Sequence, residues 1–207
     1  MSNINLLPNV FFTSDYHAFH KKILILGKGR PFASLDEHNS ALVDRHNAVV
    51  RPGDKVHNLG DFAMSCGWED AYRFRQRLMG DQHYYWGNHD KPPTGKVAWE
   101  MINNHPDCFV SVKDVDILDL SAYGVKYPVS IGHFAMRTWT KSHKGAWNLY
   151  GHSHNQLPEA QNWLAFDVGV DCWDFRPVSI EEVAQKMKAK MPAYEAWRAT
   201  LPEGRME

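Results

Sequence analysis

The sequence predicts an α/β protein, and three features lead to that prediction. The chain of 207 residues is long enough to bury a sizeable core. Its 43% hydrophobic and 23% charged residues are ordinary for a globular protein. Short apolar runs alternate with helical patterns in the first half, and the second half is rich in strands. We expect one domain over residues 1–207, with no structure assigned after Pro192.

The first half of the chain predicts a βαβαβ unit. Ser34 and Glu37 have the spacing of a capping box, which opens the first helix. Gly80 is placed to terminate the second helix. The predicted strands are residues 10–13, 55–59 and 82–86, and the predicted helices are residues 34–50 and 68–79. A polar and basic loop, residues 16–31, follows the first strand.

The second half predicts a sheet that is antiparallel or mixed, because its strands follow one another without intervening helices. A helix over residues 95–104 precedes them. The predicted strands are residues 108–112, 115–120, 129–132, 147–150 and 163–168. Ser179 with Glu182 forms another capping-box pattern, opening a closing helix that runs to about Lys190.

Charge and cysteine content narrow the function classes. A net charge of −1 is not that of a strong non-specific nucleic-acid binder, which would carry a basic excess. The N-terminal sequence has neither the basic region of a signal peptide nor the apolar length of a membrane span. Cys66, Cys108 and Cys172 are odd in number and widely spaced, which favours a reducing compartment. We therefore expect a cytoplasmic protein.

Polar side chains follow five of the predicted strands at the point where each strand ends. In four of the five places a glycine comes immediately before the polar group, which lets the backbone turn sharply or approach a ligand closely. Ligands of open α/β sheets gather at the carboxyl ends of strands. The candidate metal ligands in these segments are Asp15, His17, Asp61, Asn88, His133, His152 and His154.

Seven such groups are too many for one ion and suit two ions that share a carboxylate. Carboxylate, amide and imidazole without sulfur favour Mn, Fe, Zn, Co or Ni over calcium. Two divalent ions roughly 3.5–4 Å apart clamp a phosphoryl group and generate hydroxide. His89 follows the candidate ligand Asn88 and need not bind a metal itself. Its imidazole would be placed to protonate a leaving alkoxide.

In order and content, these segments resemble the motifs of the calcineurin-like metallophosphoesterase superfamily. The segments are Asp15-Tyr16-His17, Gly60-Asp61, Gly87-Asn88-His89-Asp90, Gly132-His133 and Gly151-His152-Ser153-His154. More narrowly, the chain resembles the small bacterial and phage phosphoesterases of this superfamily. That likeness extends to His20, Arg30-Pro31-Phe32, residues 57–62 and the stretch from Val168 to Glu182. One departure is Ala18-Phe19, where these enzymes carry an aromatic-glycine pair.

The resemblance implies an αββα sandwich of two mixed β-sheets flanked by helices, with the metal site at the strand C-terminal ends. It assigns Asp15, His17, Asp61 and His154 to one ion. Asp61, Asn88, His133 and His152 would hold the other, with Asp61 as the bridge. A metal-bridging hydroxide would attack the phosphorus of a small phosphodiester or phosphomonoester, possibly a nucleotide, while His89 assists the leaving group.

Four further residues are weaker candidates for substrate binding. His20 would contact phosphate or a metal-bound water, and Asp90 would orient His89. Arg30 and Arg137 would contact phosphate, since arginine suits bidentate phosphate binding. Trp139 and Trp147 flank a basic loop between two of the motifs, and such an aromatic wall could stack a nucleobase.

Two alternatives stay open. Nucleases that repair DNA share this superfamily, although the near-neutral charge makes a nucleic-acid partner unexpected. A non-catalytic scaffold on the same fold would have lost motif residues, whereas His89 and all seven ligand positions are intact here. The expected partner is a small phosphorylated substrate, and the sequence indicates no membrane and no partner protein. The scattered histidines 38, 46, 83, 105 and 143 are expected to be structural or exposed.

Overall fold

Nine short strands form two β-sheets in the computed structural model, which describes residues 7–26 and 29–201. They are β1 (Val10–Thr13), β2 (Lys55–Asn58), β3 (Asp81–Tyr85), β4 (Ser111–Lys113), β5 (Val115–Leu118), β6 (Val129–Gly132), β7 (Trp147–Tyr150), β8 (Ala165–Asp167) and β9 (Val178–Ser179). The first sheet has the order β4-β3-β2-β1-β9 and is parallel except for β9. The second has the order β5-β6-β7-β8, with β5 antiparallel to β6 and the other pairs parallel. Both sheets are therefore mixed.

Four α-helices flank the sheets: α1 (Leu35–Val49), α2 (Trp68–Gln76), α3 (Val97–Asn104) and α4 (Ile180–Arg198). Ser34 caps α1 by accepting a hydrogen bond from the backbone N–H of Glu37. Ser179 and Glu182 form a complete capping box at the start of α4, as predicted. The predicted fold class, two mixed sheets flanked by helices, is confirmed. None of the helices in the described residues is both long and apolar enough to cross a membrane.

The side chains of the first sheet alternate between two hydrophobic clusters, as a pleated strand requires. Phe12 and Tyr85 pack together with Ile131 and Leu149 of the second sheet. Tyr84, the neighbour of Tyr85, instead packs among residues of α1, α2 and α3. Burial on both faces explains why the central strand β1 is a continuous apolar run, Val10-Phe11-Phe12. The parallel strands β1, β2 and β3 thus end side by side at one edge.

Two helices end more than two residues away from the predicted position. Helix α2 ends at Gln76, whereas the predicted end is Met79. The backbone groups that follow the helix form hydrogen bonds with the side chain of Asn47 instead: its Nδ2 donates to Arg77 O, and its Oδ1 accepts from Met79 N. Helix α4 continues through Pro192 to Arg198. Proline removes one helical hydrogen bond. Packing of Tyr194 and Trp197 against the core offsets that loss.

Candidate metal centre

All seven predicted metal ligands lie at the carboxyl ends of β1, β2, β3, β6 and β7, where the two sheets meet. They form two sets of groups that could hold a metal ion. Within each set, one ligand atom per residue lies within 4.8 Å of the others. The first set is Asp15, His17 and His154, and the second is Asp61, His133 and His152. Asn88 joins the second set, because its Oδ1 lies 2.9 Å from His133 Nε2.

The carboxylate of Asp61 lies between the two sets. Its Oδ2 is 3.4 Å from Nε2 of His17 and 3.5 Å from Nε2 of His133. The sequence likeness assigned Asp61 as the bridging ligand, and the structure places its carboxylate next to a histidine of each set. The first set is completed by Oδ1 of Asp15, which lies 3.9 Å from Nε2 of both His17 and His154.

Hydrogen bonds on the far side of two imidazole rings orient them toward the ligand sets. Nδ1 of His133 lies 2.7 Å from the carbonyl oxygen of Leu59, which can only accept a hydrogen bond. Nδ1 of His154 lies 2.8 Å from Oδ2 of Asp171. Each contact places the N–H on Nδ1 and leaves the Nε2 lone pair facing a candidate ligand carboxylate. Such partners fix the tautomer and ring orientation of metal-binding histidines.

The charges of this region fit divalent cations. Oδ1 of Asp15 and both ring nitrogens of His17 are buried and have no hydrogen-bond partner among the described residues. Burial, then the neighbouring Asp15 and Asp90 carboxylates, raise the pKa of Asp61 to about 9. Burial, with nearby cationic and histidine groups, lowers the pKa of His17 well below its ordinary value. A neutral imidazole and crowded carboxylates are the groups that a cation would bind and stabilise.

The backbone of the ligand loops adopts conformations that few residues tolerate. Five of the candidate ligands have left-handed φ values between 46° and 66°, which are uncommon for residues other than glycine: Asp15, His17, Asp61, His152 and His154. Such local strain concentrates at functional sites. Two glycines permit the close approach of neighbouring loops. A Cβ on Gly87 would overlap Asp61 Oδ1, and one on Gly151 would overlap Ser14 Oγ.

His89 lies beside the first set but belongs to neither set of candidate metal ligands. Its backbone N–H donates to Asp61 Oδ1 at 2.8 Å, and its ring centroid lies 5.7 Å from that of His17. Nδ1 of His89 has no hydrogen-bond partner in the part of the chain that the structure describes. The ring lines a cavity of about 400 Å³, here named the histidine cavity. Its walls include His17, His20, His89, His154, Asp171 and Phe175.

Two of the weaker substrate-binding candidates reach the histidine cavity. His20 lines it, with its ring centroid 5.5 Å from that of His17. Arg30 also lines it, but each of its N–H groups already has an acceptor. These acceptors are both carboxylate oxygens of Asp171, the backbone carbonyls of Asp15 and Tyr16, and Nε2 of His38. Arg30 therefore has no free N–H group for the predicted phosphate contact. It instead stabilises the loop after β1, which contains Asp15 and His17.

The predicted contact of Asp90 with the His89 ring is wrong. Both oxygens of the buried Asp90 carboxylate point toward backbone: Oδ2 accepts from Asp61 N at 2.8 Å and from Gly87 N at 2.6 Å, and Oδ1 accepts from Phe62 N at 3.1 Å. Asp90 therefore joins the loop after β2 to the loop after β3. Through the hydrogen bond from Asp61 N, it positions Asp61. It does not reach the ring of His89, because neighbouring side chains in a turn point in different directions.

Arg137 does not line the histidine cavity. It is exposed and lines a different cavity, together with Trp139 and Trp163. Trp147 is partly buried against the main hydrophobic cluster. The structure therefore separates Arg137 and both predicted wall tryptophans from the candidate metal ligands.

Asp171 and Asp167 have roles that the sequence did not predict. Asp171 accepts from both Arg30 and His154, and so connects the two ligand segments of the first set. Asp167 accepts from the Ser153 hydroxyl and from the backbone N–H of Gly169. Both lie in or next to the stretch Val168-Gly169-Val170-Asp171, which belongs to the segment that resembles the phosphoesterases but contains none of the ligand motifs.

Comparisons with known proteins support the fold without assigning a function. No family model matches the chain. It is 26% identical over 202 residues to the gene 66 protein of Mycobacterium phage L5, covering 86% of this chain and 93% of that protein. It is also 26% identical over 185 residues to an uncharacterised protein of Methanocaldococcus jannaschii, covering 86% and 91%. The crystal structure of a protein of unknown function from Aquifex aeolicus is similar with a TM-score of 0.66 at 20% identity, covering 86% of this chain and 99% of that one.

Proposed function

We propose that the chain is a calcineurin-like metallophosphoesterase that uses two divalent metal ions to hydrolyse a small phosphodiester. The ions would be Mn, Fe, Zn, Co or Ni, since the ligand set is carboxylate, amide and imidazole. The observation that carries the proposal is the position of Asp61. Its Oδ2 lies within 3.5 Å of a histidine from each ligand set. A pair of ions held there would polarise a phosphoryl group and lower the pKa of a water molecule.

His89 is the residue that we propose to protonate the leaving oxygen. Histidine is the side chain most often used for proton transfer in enzymes. The Asp61 carboxylate fixes the backbone of His89 through a hydrogen bond of 2.8 Å, so that the same residue would hold the metals and place the acid. The ring faces the histidine cavity rather than a structural partner, which leaves it free to contact a substrate.

The histidine cavity favours a small substrate of low charge. Its volume of about 400 Å³ lies within the roughly 300–1,000 Å³ of typical small-molecule sites. Among its described lining residues, Arg30 is the one arginine or lysine, and its N–H groups are engaged by Asp171 and neighbouring groups. A diester carries one negative charge fewer than a monoester dianion, so it needs less neutralisation by side chains beyond that supplied by the two ions. Ile23 and Phe175 offer an apolar wall for its leaving group.

Hydrolysis of an aryl phosphodiester and an aryl phosphomonoester would test the proposal. The protein is treated with chelator and then supplied with each of the five metals in turn. We expect metal-dependent turnover that falls at least a hundredfold in His89→Ala, consistent with the loss of a general acid. Asn88→Ala should lose both turnover and metal. His143→Ala is the matched control, because His143 lies outside the histidine cavity, and it should retain full activity.

Three outcomes would count against parts of the proposal. Full activity in His89→Ala would remove the general acid. Cleavage of oligonucleotides in preference to aryl diesters would identify a nuclease. Binding of two ions without turnover on any ester would identify a non-catalytic scaffold.

A further inference from the structure

Four aromatic side chains line a second cavity, outside the candidate metal centre. Trp139 follows β6, Trp163 precedes β8, and Tyr194 and Trp197 lie on α4. This tryptophan cavity has a volume of about 230 Å³. Among the described residues, its lining shares no member with the histidine cavity. A ligand could therefore bind here independently of the metal ions.

The walls of the tryptophan cavity are held in place by hydrogen bonds. Trp139 Nε1 donates to the carbonyl oxygen of Ala146 at 2.9 Å. The hydroxyl of Tyr194 donates to the carbonyl oxygen of Ser142 at 3.0 Å. The rings of Trp139 and Trp163 meet edge to face, with centroids 5.7 Å apart. Rigid aromatic walls lose little conformational entropy when a ligand binds, so the cavity is suited to recognition.

The segment that forms one side of this cavity carries unpaired positive charge. Arg137 lines the cavity and is exposed, and Lys141 and Lys144 are exposed in the same segment. Within residues 7–26 and 29–201, the ion pairs include none of these three side chains. His143 also lines the cavity. A guanidinium group beside tryptophan rings can bind phosphate while a planar group stacks on the rings.

Size and chemistry together select the ligand class. The volume is below the roughly 300–1,000 Å³ of sites that enclose a drug-sized molecule, so it admits one ring system and leaves the rest of the ligand outside. An uncharged aromatic ring would make no use of Arg137, and a bare anion would make no use of the tryptophans. We propose that this cavity binds the base of a nucleotide, with Arg137 contacting its phosphate. Base stacking on aromatic side chains is tolerant of base identity.

Calorimetric titration of the full chain with adenosine monophosphate, adenosine, inorganic phosphate and an eight-residue oligothymidylate tests this site. Chelator is present throughout, so that phosphate held by metal ions does not contribute. We expect saturable binding of nucleotide that is at least tenfold weaker in Trp163→Leu and is retained in Trp163→Phe. Arg137→Gln, a change at an exposed position, should weaken the nucleotide but not adenosine. Trp99→Leu is the matched control, since Trp99 is an exposed tryptophan on α3.

The titrations with the different ligands and variants decide whether the proposal holds. Saturation by the mononucleotide identifies a free nucleotide as the ligand, and saturation by the oligothymidylate alone identifies a nucleotide within a strand. Equal affinity for inorganic phosphate and nucleotide would overturn the proposal, because stacking would then contribute nothing. Binding of neither nucleotide form, or equal loss in Trp163→Leu and Trp99→Leu, would also overturn it. Hydrolysis of an aryl phosphodiester should be unchanged in Trp163→Leu, which separates this proposal from the function of the metal centre.

Discussion

Asp171 Oδ2 accepts a hydrogen bond from Nδ1 of His154 at 2.8 Å, and this contact aims the other ring nitrogen of His154 at Asp15. The same oxygen lies 2.8 Å from Nη2 of Arg30, whose other Nη2 contact is the backbone carbonyl of Asp15. One partly buried carboxylate thus connects a candidate ligand from each of the two sheets.

Asp171→Asn should weaken metal binding. An amide carries no charge, and its NH2 group would replace one of the two oxygens that accept from Arg30 and His154, so that a donor would face a donor. Loss of a group that hydrogen-bonds to a metal ligand typically lowers the metal affinity ten- to a hundredfold. The measurement is competition with a chromophoric chelator. Asp174→Asn is the matched control, because its side chain is 83% exposed in its ion pair with Arg45. Equal affinity in the two variants would show that Asp171 does not position His154.

Asp90→Ala should destabilise the protein even without metal. The carboxylate accepts three backbone N–H bonds, from Asp61, Phe62 and Gly87. Each buried donor left unpaired costs about 1–3 kcal/mol, so the free energy of unfolding should fall by roughly 3 kcal/mol or more. Urea denaturation with chelator present measures this fall in the free energy of unfolding. Asp70→Ala removes an exposed helix ion pair and should cost below about 1 kcal/mol. A similar loss in both would contradict the assigned role.

Gly95→Ala should displace His89. A Cβ at this position would overlap the carbonyl oxygen of His89, which is backbone and cannot rotate away. We expect turnover of an aryl phosphodiester to fall at least tenfold, because small errors in the placement of a catalytic group cost about that much or more. In Gly67→Ala the added Cβ meets the end of the flexible Glu69 side chain, and activity should be kept. Unchanged turnover in Gly95→Ala would show that the position of His89 is not limiting.

Acid should destabilise the fold through His46. Its Nδ1 lies 2.6 Å from the Tyr16 hydroxyl and its Nε2 lies 2.9 Å from the carbonyl oxygen of Met79, and burial lowers its pKa to about 4. The folded pKa is below the ordinary 6.5, so this stability is present above pH 6.5 and is lost as the pH falls through 4. The loss is on the order of 3 kcal/mol.

Urea denaturation at several pH values tests this effect. His46→Gln should flatten the dependence of the unfolding free energy on pH between 6.5 and 4. His143→Gln removes a partly exposed histidine and should leave the slope as it is. An unchanged slope in His46→Gln would place the titrating groups elsewhere.

Asp61→Asn should have opposite effects with and without metal. The pKa of Asp61 is raised to about 9, chiefly by burial, so the metal-free protein loses stability as the pH rises from about 4 toward 9. The neutral amide avoids that loss, and its oxygen can still accept from His89 N. At pH 8 the variant should therefore melt above the wild type with chelator present.

Saturating Mn²⁺ should reverse that order of stability. Metal at a hundredfold excess over its dissociation constant stabilises the wild type by about 2.7 kcal/mol per site. The Asp61→Asn variant should gain less, because it lacks the shared carboxylate. Differential scanning calorimetry measures both conditions, and an equal gain in the two proteins would show that Asp61 binds no metal.

The sequence predicted the parts of the fold that depend on local pattern. Strands β1, β6 and β7 have the predicted bounds, because each is an apolar run ended by a polar group or turn. The end of α4 depends instead on contacts between distant residues. Pro192 signals a helix end locally, while the burial of Tyr194 against the core overrides that signal.

In the candidate site, too, local pattern predicted some features and contacts between distant residues determined the others. Strand ends predicted which side chains meet, because parallel strands present their carboxyl ends at one edge. The direction of Asp90 depends on the turn that follows β3, and the link from Asp171 to Arg30 spans 141 residues. Neither spacing nor composition contains such information. The left-handed φ values of the ligand loops were likewise invisible in the sequence, since no glycine marks those positions.

Each ligand set takes side chains from loops of both sheets: Asp15 and Asp61 follow strands of the first sheet, whereas His133 and His154 follow strands of the second. Bound ions would therefore add cross-links between two layers that side-chain packing and hydrogen bonds, such as that from Val170 N–H to the carbonyl oxygen of Ser14, already join. With the ions present, amide hydrogens of β2 and of β6 should exchange with solvent at a common rate, as parts of one cooperative unit. Without them, the amide hydrogens of β2 and of β6 should exchange at different rates, and the rate at which the protein releases its ions becomes a measure of how often the two layers separate.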